Sequence, residues 1–188
     1  MIKVGLTGNY YSDYELISKN FANRGIPIFD ADIVLKFILH YSQEVISKIK
    51  IKYGNNIFNM GLIDLTKFNS TDKFNGLLDI IQLDLMTSYE KWRLKNLNAK
   101  YTIFKSSFLF ERNINESMNY TISVFKPKND RVSIALSNTE IPISEIYDIV
   151  DSEIDELVKN QKSNYIIHNY IDTLDIQISS IHSNLIKK

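Results

Sequence analysis

Ile2-Lys3-Val4-Gly5-Leu6-Thr7-Gly8-Asn9 opens the chain, and Phe21-Ala22-Asn23-Arg24-Gly25-Ile26-Pro27-Ile28-Phe29-Asp30-Ala31-Asp32 closes its first 32 residues. Ile2 to Thr7 is short, apolar and rich in β-branched residues, and Gly8-Asn9 is a turn signal, so the segment reads as a strand. From Tyr14 to Arg24, the apolar positions Leu16, Ile17, Phe21 and Ala22 recur at helical spacing, and Gly25 stops the helix. Ile26 to Phe29 is a second short strand, and a second amphipathic run, Ile33 to Leu39, follows. Strand, helix and strand within about 30 residues form a βαβ unit, which implies a parallel sheet.

Working outward, the middle of the chain is helical. Ser42 to Tyr53 is one helix and Lys73 to Leu97 a long one, with Leu77, Leu78, Ile81, Leu85 and Trp92 on its apolar stripe. Strand signals return at Tyr101 to Phe104, Tyr120 to Phe125 and Tyr165 to His168. Helical patterns fill Lys128 to Leu136, Ser144 to Val158 and Asp172 to Ile186. Five strands interleaved with helices make a doubly wound α/β domain, in which ligands bind beyond the carboxyl ends of the strands.

Composition removes several function classes. The chain has 188 residues, 44% of them apolar and 23% charged, which excludes a disordered chain. Lys+Arg and Asp+Glu both number 22, so bulk charge gives no reason to expect nucleic acid or an anionic membrane as partner. The absence of cysteine removes disulfides, thiolate catalysis and thiolate metal sites. His40, His168 and His182 are scattered, and no metal site is expected. No apolar run reaches the roughly 18 to 20 residues that span a bilayer. The apolar N-terminal stretch is too short for a signal peptide. The expected location is the cytoplasm, or host cytoplasm for a viral source.

The opening block resembles the dephospho-CoA kinase family, whose members begin with a strand, G-L-T-G-G-I-G-S-G-K-S-T, a helix ending F-A-x-x-G and a strand ending D-A-D. No gap is needed over the first 32 residues. Tyr53-Gly54-Asn55-Asn56-Ile57 with Gly61-Leu62-Ile63-Asp64, then Phe108-Leu109-Phe110-Glu111, then Tyr165-Ile166-Ile167-His168-Asn169 echo later family motifs in order. The resemblance implies a P-loop kinase-like three-layer α/β domain with a five-stranded parallel sheet, a helical substrate-side insertion and a lid. The core is expected over 1–32, 99–127 and 163–188, the helical region over 33–98 and the lid over 128–162.

The same alignment exposes losses. A P-loop needs glycines so that backbone N–H groups can face the phosphates, a lysine for the β- and γ-phosphates, and a hydroxyl for magnesium. This chain keeps Gly8 and Ser12. Asn9, Tyr11 and Asp13 stand at family glycines, Tyr14 at the lysine and Glu15 at the hydroxyl, with Tyr10 between. Asp13 and Glu15 put negative charge at a helix N-terminus that should receive phosphate. At about 5 Å and an effective dielectric near 20, one such charge pair is worth roughly 3 kcal/mol. ATP and Mg²⁺, implied by the family, are therefore expected to bind weakly, and no cofactor is assigned.

Residue by residue, the resemblance places Asp32 as general base for the acceptor hydroxyl, although an Asp before Ile33 is also a good helix N-cap. It places Asp30 and Lys36 on the substrate side, with a solvated helix face as the other reading of Lys36. Asn169 is either on the adenine side or a turn residue. Lys105 falls at the end of the third sheet strand, where it can pair with Asp13 or Glu15, or all three can be independent surface charges. Tyr10, Tyr11 and Tyr14 either plug the phosphate pocket or present an aromatic face. Three functions remain open: a dephospho-CoA kinase-like protein of coenzyme A biosynthesis with impaired or lost catalysis, an active kinase with an altered nucleotide site and unknown acceptor, and a non-enzymatic interaction protein. The partner is a nucleotide or CoA-like small molecule, or an unknown protein.

Overall fold

In chain order the strands are β1 (Ile2–Gly8), β2 (Ile28–Asp30), the short antiparallel pair β3 (Phe58–Asn59) and β4 (Leu62–Ile63), β5 (Tyr101–Lys105), β6 (Tyr120–Phe125) and β7 (Tyr165–His168). The helices are α1 (Tyr14–Asn23), α2 (Ala31–Tyr41), α3 (Gln43–Tyr53), α4 (Thr71–Leu94), α5 (Lys128–Asn138), α6 (Ile143–Ser152), α7 (Glu156–Lys162) and α8 (Leu174–Ile186). This computed structural model describes residues 1–68, 71–138 and 141–188.

Five strands form one sheet in the order β2-β5-β1-β6-β7. The pairs β1–β5, β1–β6 and β6–β7 are all parallel, with Leu6 opposite Lys105, Gly8 opposite Val124, and Phe125 opposite His168. That register brings the carboxyl ends of four strands to one edge of the sheet. The second strand begins at Ile28 rather than Ile26. Pro27 has no N–H to give a ladder, and only its carbonyl contributes, accepting from Ile103 N–H at 3.0 Å.

Alternation along β1 divides its side chains between two faces. Val4 and Leu6 join Ile103, Ile122, Val124 and Ile167 in a core closed by Ile17 and Phe21 of α1 and by Ile178, Ile181 and Leu185 of α8. The opposite face meets Leu109, which is fully buried.

The chain divides into two compact units, Met1–Phe29 with Asn96–Lys188, and Asp30–Lys95. The first holds nearly all of the sheet and the helical pair α5–α6, whose own small core is Val132, Ala135, Ile146 and Val150. The second is built on α2, α3 and α4. Its long helix buries Leu77, Leu78, Ile81, Leu85 and Tyr89, and Ile38, Leu39, Val45 and Ile49 of its other helices are buried too.

One expected element is corrected. The continuous helix over Ser144 to Val158 is two helices, α6 and α7, broken at Glu153. Glu153 is extended, and Asp155 caps α7 by accepting the Leu157 N–H at 2.8 Å. The apolar period runs through the break, so periodicity alone could not reveal it. Among the described residues no helix is long and apolar enough to cross a membrane.

Candidate functional site

The β1–α1 connection, residues 9–13, lies at the shared carboxyl edge of the sheet. Ser12 N–H donates to the Asn9 carbonyl at 3.0 Å and closes the loop. Tyr11 and Asp13 adopt φ of 62° and 60°, in the left-handed region. These are two of the three positions where the resemblance has glycine, so the trace of a glycine loop persists without its glycines. Such a conformation costs an ordinary L-residue roughly 1–2 kcal/mol, less for Asp than for Tyr. Gly8 is kept for space: a Cβ there would lie 2.3 Å from the fully buried Ser12 hydroxyl oxygen.

Asp13 of the loop and Glu15 in the first turn of α1 each have a cationic partner. Glu15 pairs with Lys105, the last residue of β5. Lys105 is 3% exposed, and its ammonium also lies 5.4 Å from the centre of the Tyr14 ring. Asp13 pairs with Lys126, the residue after β6. Asn169, just after β7, donates its amide to the Ser12 carbonyl at 2.8 Å and to Asp13 Oδ2 at 3.3 Å. Three strand ends therefore hold the loop. The picture of unpaired negative charge facing an open phosphate site gives way to neutralised charge.

The α5–α7 segment adds a second layer. Arg131 of α5 is 1% exposed, and its guanidinium donates to the Tyr10 carbonyl at 3.0 Å, Glu153 Oε2 at 2.9 Å and Glu156 Oε2 at 3.0 Å. Glu153 in turn accepts from Tyr10 N–H at 2.5 Å and Asn9 Nδ2 at 3.3 Å. Burial raises the Tyr10 phenol above its ordinary pKa, with Tyr11 and Glu153 adding to the effect. Lys159 of α7, also buried, lies 2.7 Å from Glu111, which gives that acid a lid cation.

The three tyrosines do different things. Tyr11 packs against the α5–α6 core, Tyr14 packs against the sheet core, and Tyr10 stays half exposed with its ring edge-on to Tyr11 at 4.8 Å. The structure thus gathers Gly8 to Glu15, Lys105 and Asn169 together. Asp30, Asp32 and Lys36 belong to the second unit, at the start of α2. There Asp30, not Asp32, is the N-cap, and its Oδ1 accepts the Ile33 N–H at 3.1 Å. The helix starts at Ala31, two residues before the apolar run, which moves the cap back by the same amount. Asp32 is partly exposed and Lys36 exposed.

Glu153 and Glu156 are not among the residues that the sequence marks. Lys126 carried a positional signal, since it follows a strand. Glu153 carried none, because 143 residues separate it from Tyr10.

Compared with known proteins, residues 2–175 match the dephospho-CoA kinase family model. The chain belongs to the dephospho-CoA kinase family. A dephospho-CoA kinase from Rickettsia bellii is 23% identical over 188 residues, covering 98% of both chains. One from Fusobacterium nucleatum is 28% identical over 170 residues, covering 86% of this chain and 81% of its own. Among solved structures, a Thermus thermophilus protein superposes with a TM-score of 0.82 at 18% identity, covering 97% of this chain and 96% of its own. The dephospho-CoA kinase from Campylobacter jejuni superposes with a TM-score of 0.60 at 15% identity, covering 99% and 98%. These structural likenesses show the fold, a P-loop kinase α/β domain, which agrees with the five-stranded parallel sheet expected from the sequence.

Proposed function

We propose that this dephospho-CoA kinase family member binds a CoA-like ligand and is impaired in ATP-dependent transfer to its 3′-hydroxyl. One observation carries the reading: the two lysines at the ends of β5 and β6 are paired with carboxylates of the loop itself. A triphosphate would need cations and free backbone donors at that edge. It would meet Asp13, Glu15 and Glu153 instead, and Tyr14 offers no charge to replace a lysine.

Magnesium fares no better. Glu15 stands at the family's hydroxyl ligand and is engaged by Lys105. A carboxylate already held by a buried ammonium does not fit the ion.

On the acceptor side, Asp32 is the residue we assign to orient the 3′-hydroxyl, with Asp30 and Lys36 near the substrate. Asp30 would serve while capping α2. Asn169 supports the loop through its amide, which leaves its side-chain oxygen for an adenine edge. Coenzyme A chemistry of this kind fits the cytoplasm.

The test pairs a coupled ATP-consumption assay with thermal shift against ATP-magnesium, dephospho-CoA and CoA. No turnover is expected, with a rise in melting temperature for the CoA-like ligands and none for ATP-magnesium. Turnover at about 1–100 s⁻¹, typical of kinases, would refute the impairment and support an active enzyme with an altered nucleotide site.

A further inference from the structure

The lid brings an anion of its own into the loop. Glu153 sits at the break between α6 and α7 and is 17% exposed. One carboxylate oxygen takes the backbone N–H of Tyr10, and the other takes the Asn9 amide and the Arg131 guanidinium. Asn9 Nδ2 is also 2.9 Å from the Ile154 carbonyl, and Arg131 spans from Glu153 to the Tyr10 carbonyl. Around these bonds, the Tyr11 ring packs on the α5–α6 core.

The chemistry of the cluster decides what belongs in it. An inward-facing loop N–H and a nearly fully buried guanidinium both favour negative charge, and charge-assisted bonds are the stronger class. Leaving Arg131 buried with fewer carboxylates would be costly. Glu153 accepts from the Tyr10 N–H, the Asn9 amide and the Arg131 Nη1 at once. It is the only connection among these that joins loop backbone, loop side chain and lid through one charged group.

We propose that Glu153 is a tethered anion that occupies the loop's anion-accepting groups and fastens the α5–α6 lid to the loop without nucleotide. The proposal rests on the reading that the loop does not take ATP efficiently. An incoming anion must first displace a carboxylate delivered by the lid. Opening the lid also means extracting Tyr11 from its apolar contacts.

The experiment is amide hydrogen exchange on the full chain, followed at Tyr10 and across residues 128–138 and 141–152. In the wild type, Tyr10 N–H is protected. Glu153→Ala and the isosteric Glu153→Gln speed its exchange roughly ten- to a hundred-fold, the range of a lost charge-assisted bond. Exchange across the lid follows. Glu156→Gln, which removes the other Arg131 carboxylate but no loop contact, leaves Tyr10 protected. Formate, a free carboxylate, restores protection to Glu153→Ala, whereas chloride at equal ionic strength does not.

Tyr10 exchanging like an open loop residue in the wild type overturns the proposal without any variant. So does exchange unchanged by either Glu153 substitution, or formate and chloride acting alike. Should Glu153→Ala fail to fold, the wild type and Glu153→Gln still decide. ATP turnover by the wild type would defeat the proposed impairment while leaving Tyr10 protection to be judged alone.

Discussion

Breaking the Glu15–Lys105 pair from its two ends should have unequal effects. Lys105 is 3% exposed, whereas the Glu15 side chain is 52% exposed. Glu15→Gln withdraws the carboxylate from a buried ammonium. Breaking a fully buried pair in this way costs about 3–5 kcal/mol. Water already reaches Glu15, so the expected loss is discounted to about 1–3 kcal/mol. Lys105→Met leaves a half-exposed carboxylate that water can solvate. It also removes the desolvation penalty of the lysine while keeping most of its apolar stem, so its cost should stay below about 1 kcal/mol. Combining the two changes removes both charges, and the double variant should recover most of the Glu15→Gln loss. Urea unfolding of the four proteins measures this directly, provided the m-value is shared. The reasoning is refuted if Lys105→Met is the more damaging single change, or if the double variant loses the sum of both. Loss of melting temperature in Lys105→Ala would then reflect packing, not charge.

Other expectations concern the same edge and one distant contact. Asp13→Gly removes left-handed strain, which offsets the loss of a half-exposed ion pair with Lys126, and should change stability by less than about 1 kcal/mol in urea unfolding. Tyr11→Gly removes the same strain but also a ring packed on the lid core, so a net loss of about 1–3 kcal/mol is expected, with lid exchange accelerated. Asn169→Ala takes away the Ser12 carbonyl contact and should lower stability by about 1 kcal/mol in thermal unfolding; no change would place that bond outside the loop's support. His182 shares a 2.7 Å hydrogen bond with Tyr101, and burial followed by Arg24 lowers its pKa. The folded state therefore binds its proton less readily than the unfolded state, whose value is about 6.5, so stability falls as pH drops below about 6.5 and is full above it. His182→Gln should flatten that limb in pH-dependent urea unfolding.

The sheet was legible because its signals are local. Runs such as Ile2 to Thr7 and Tyr120 to Phe125 fix strand position by composition, and Gly25, at φ 78°, ends α1 where the sequence says it should. The site was legible where topology converts sequence position into place. Lys105 ends one strand and Asn169 follows another, and parallel register carries both to the first loop. Glu153 escaped because its role depends on a helix break that the apolar period conceals. Capping by Asp30 rather than Asp32 escaped because the helix starts at Ala31, two residues before the apolar run; Ala31 is 1% exposed, held by burial.

Tyr11 and Asp13 hold dihedral angles that belong to a different pair of residues. Because the main chain already follows that path, exchanging either for glycine would ask nothing new of the backbone. Path and side chain are separable at these two positions: the same turn admits glycine or the residues now there.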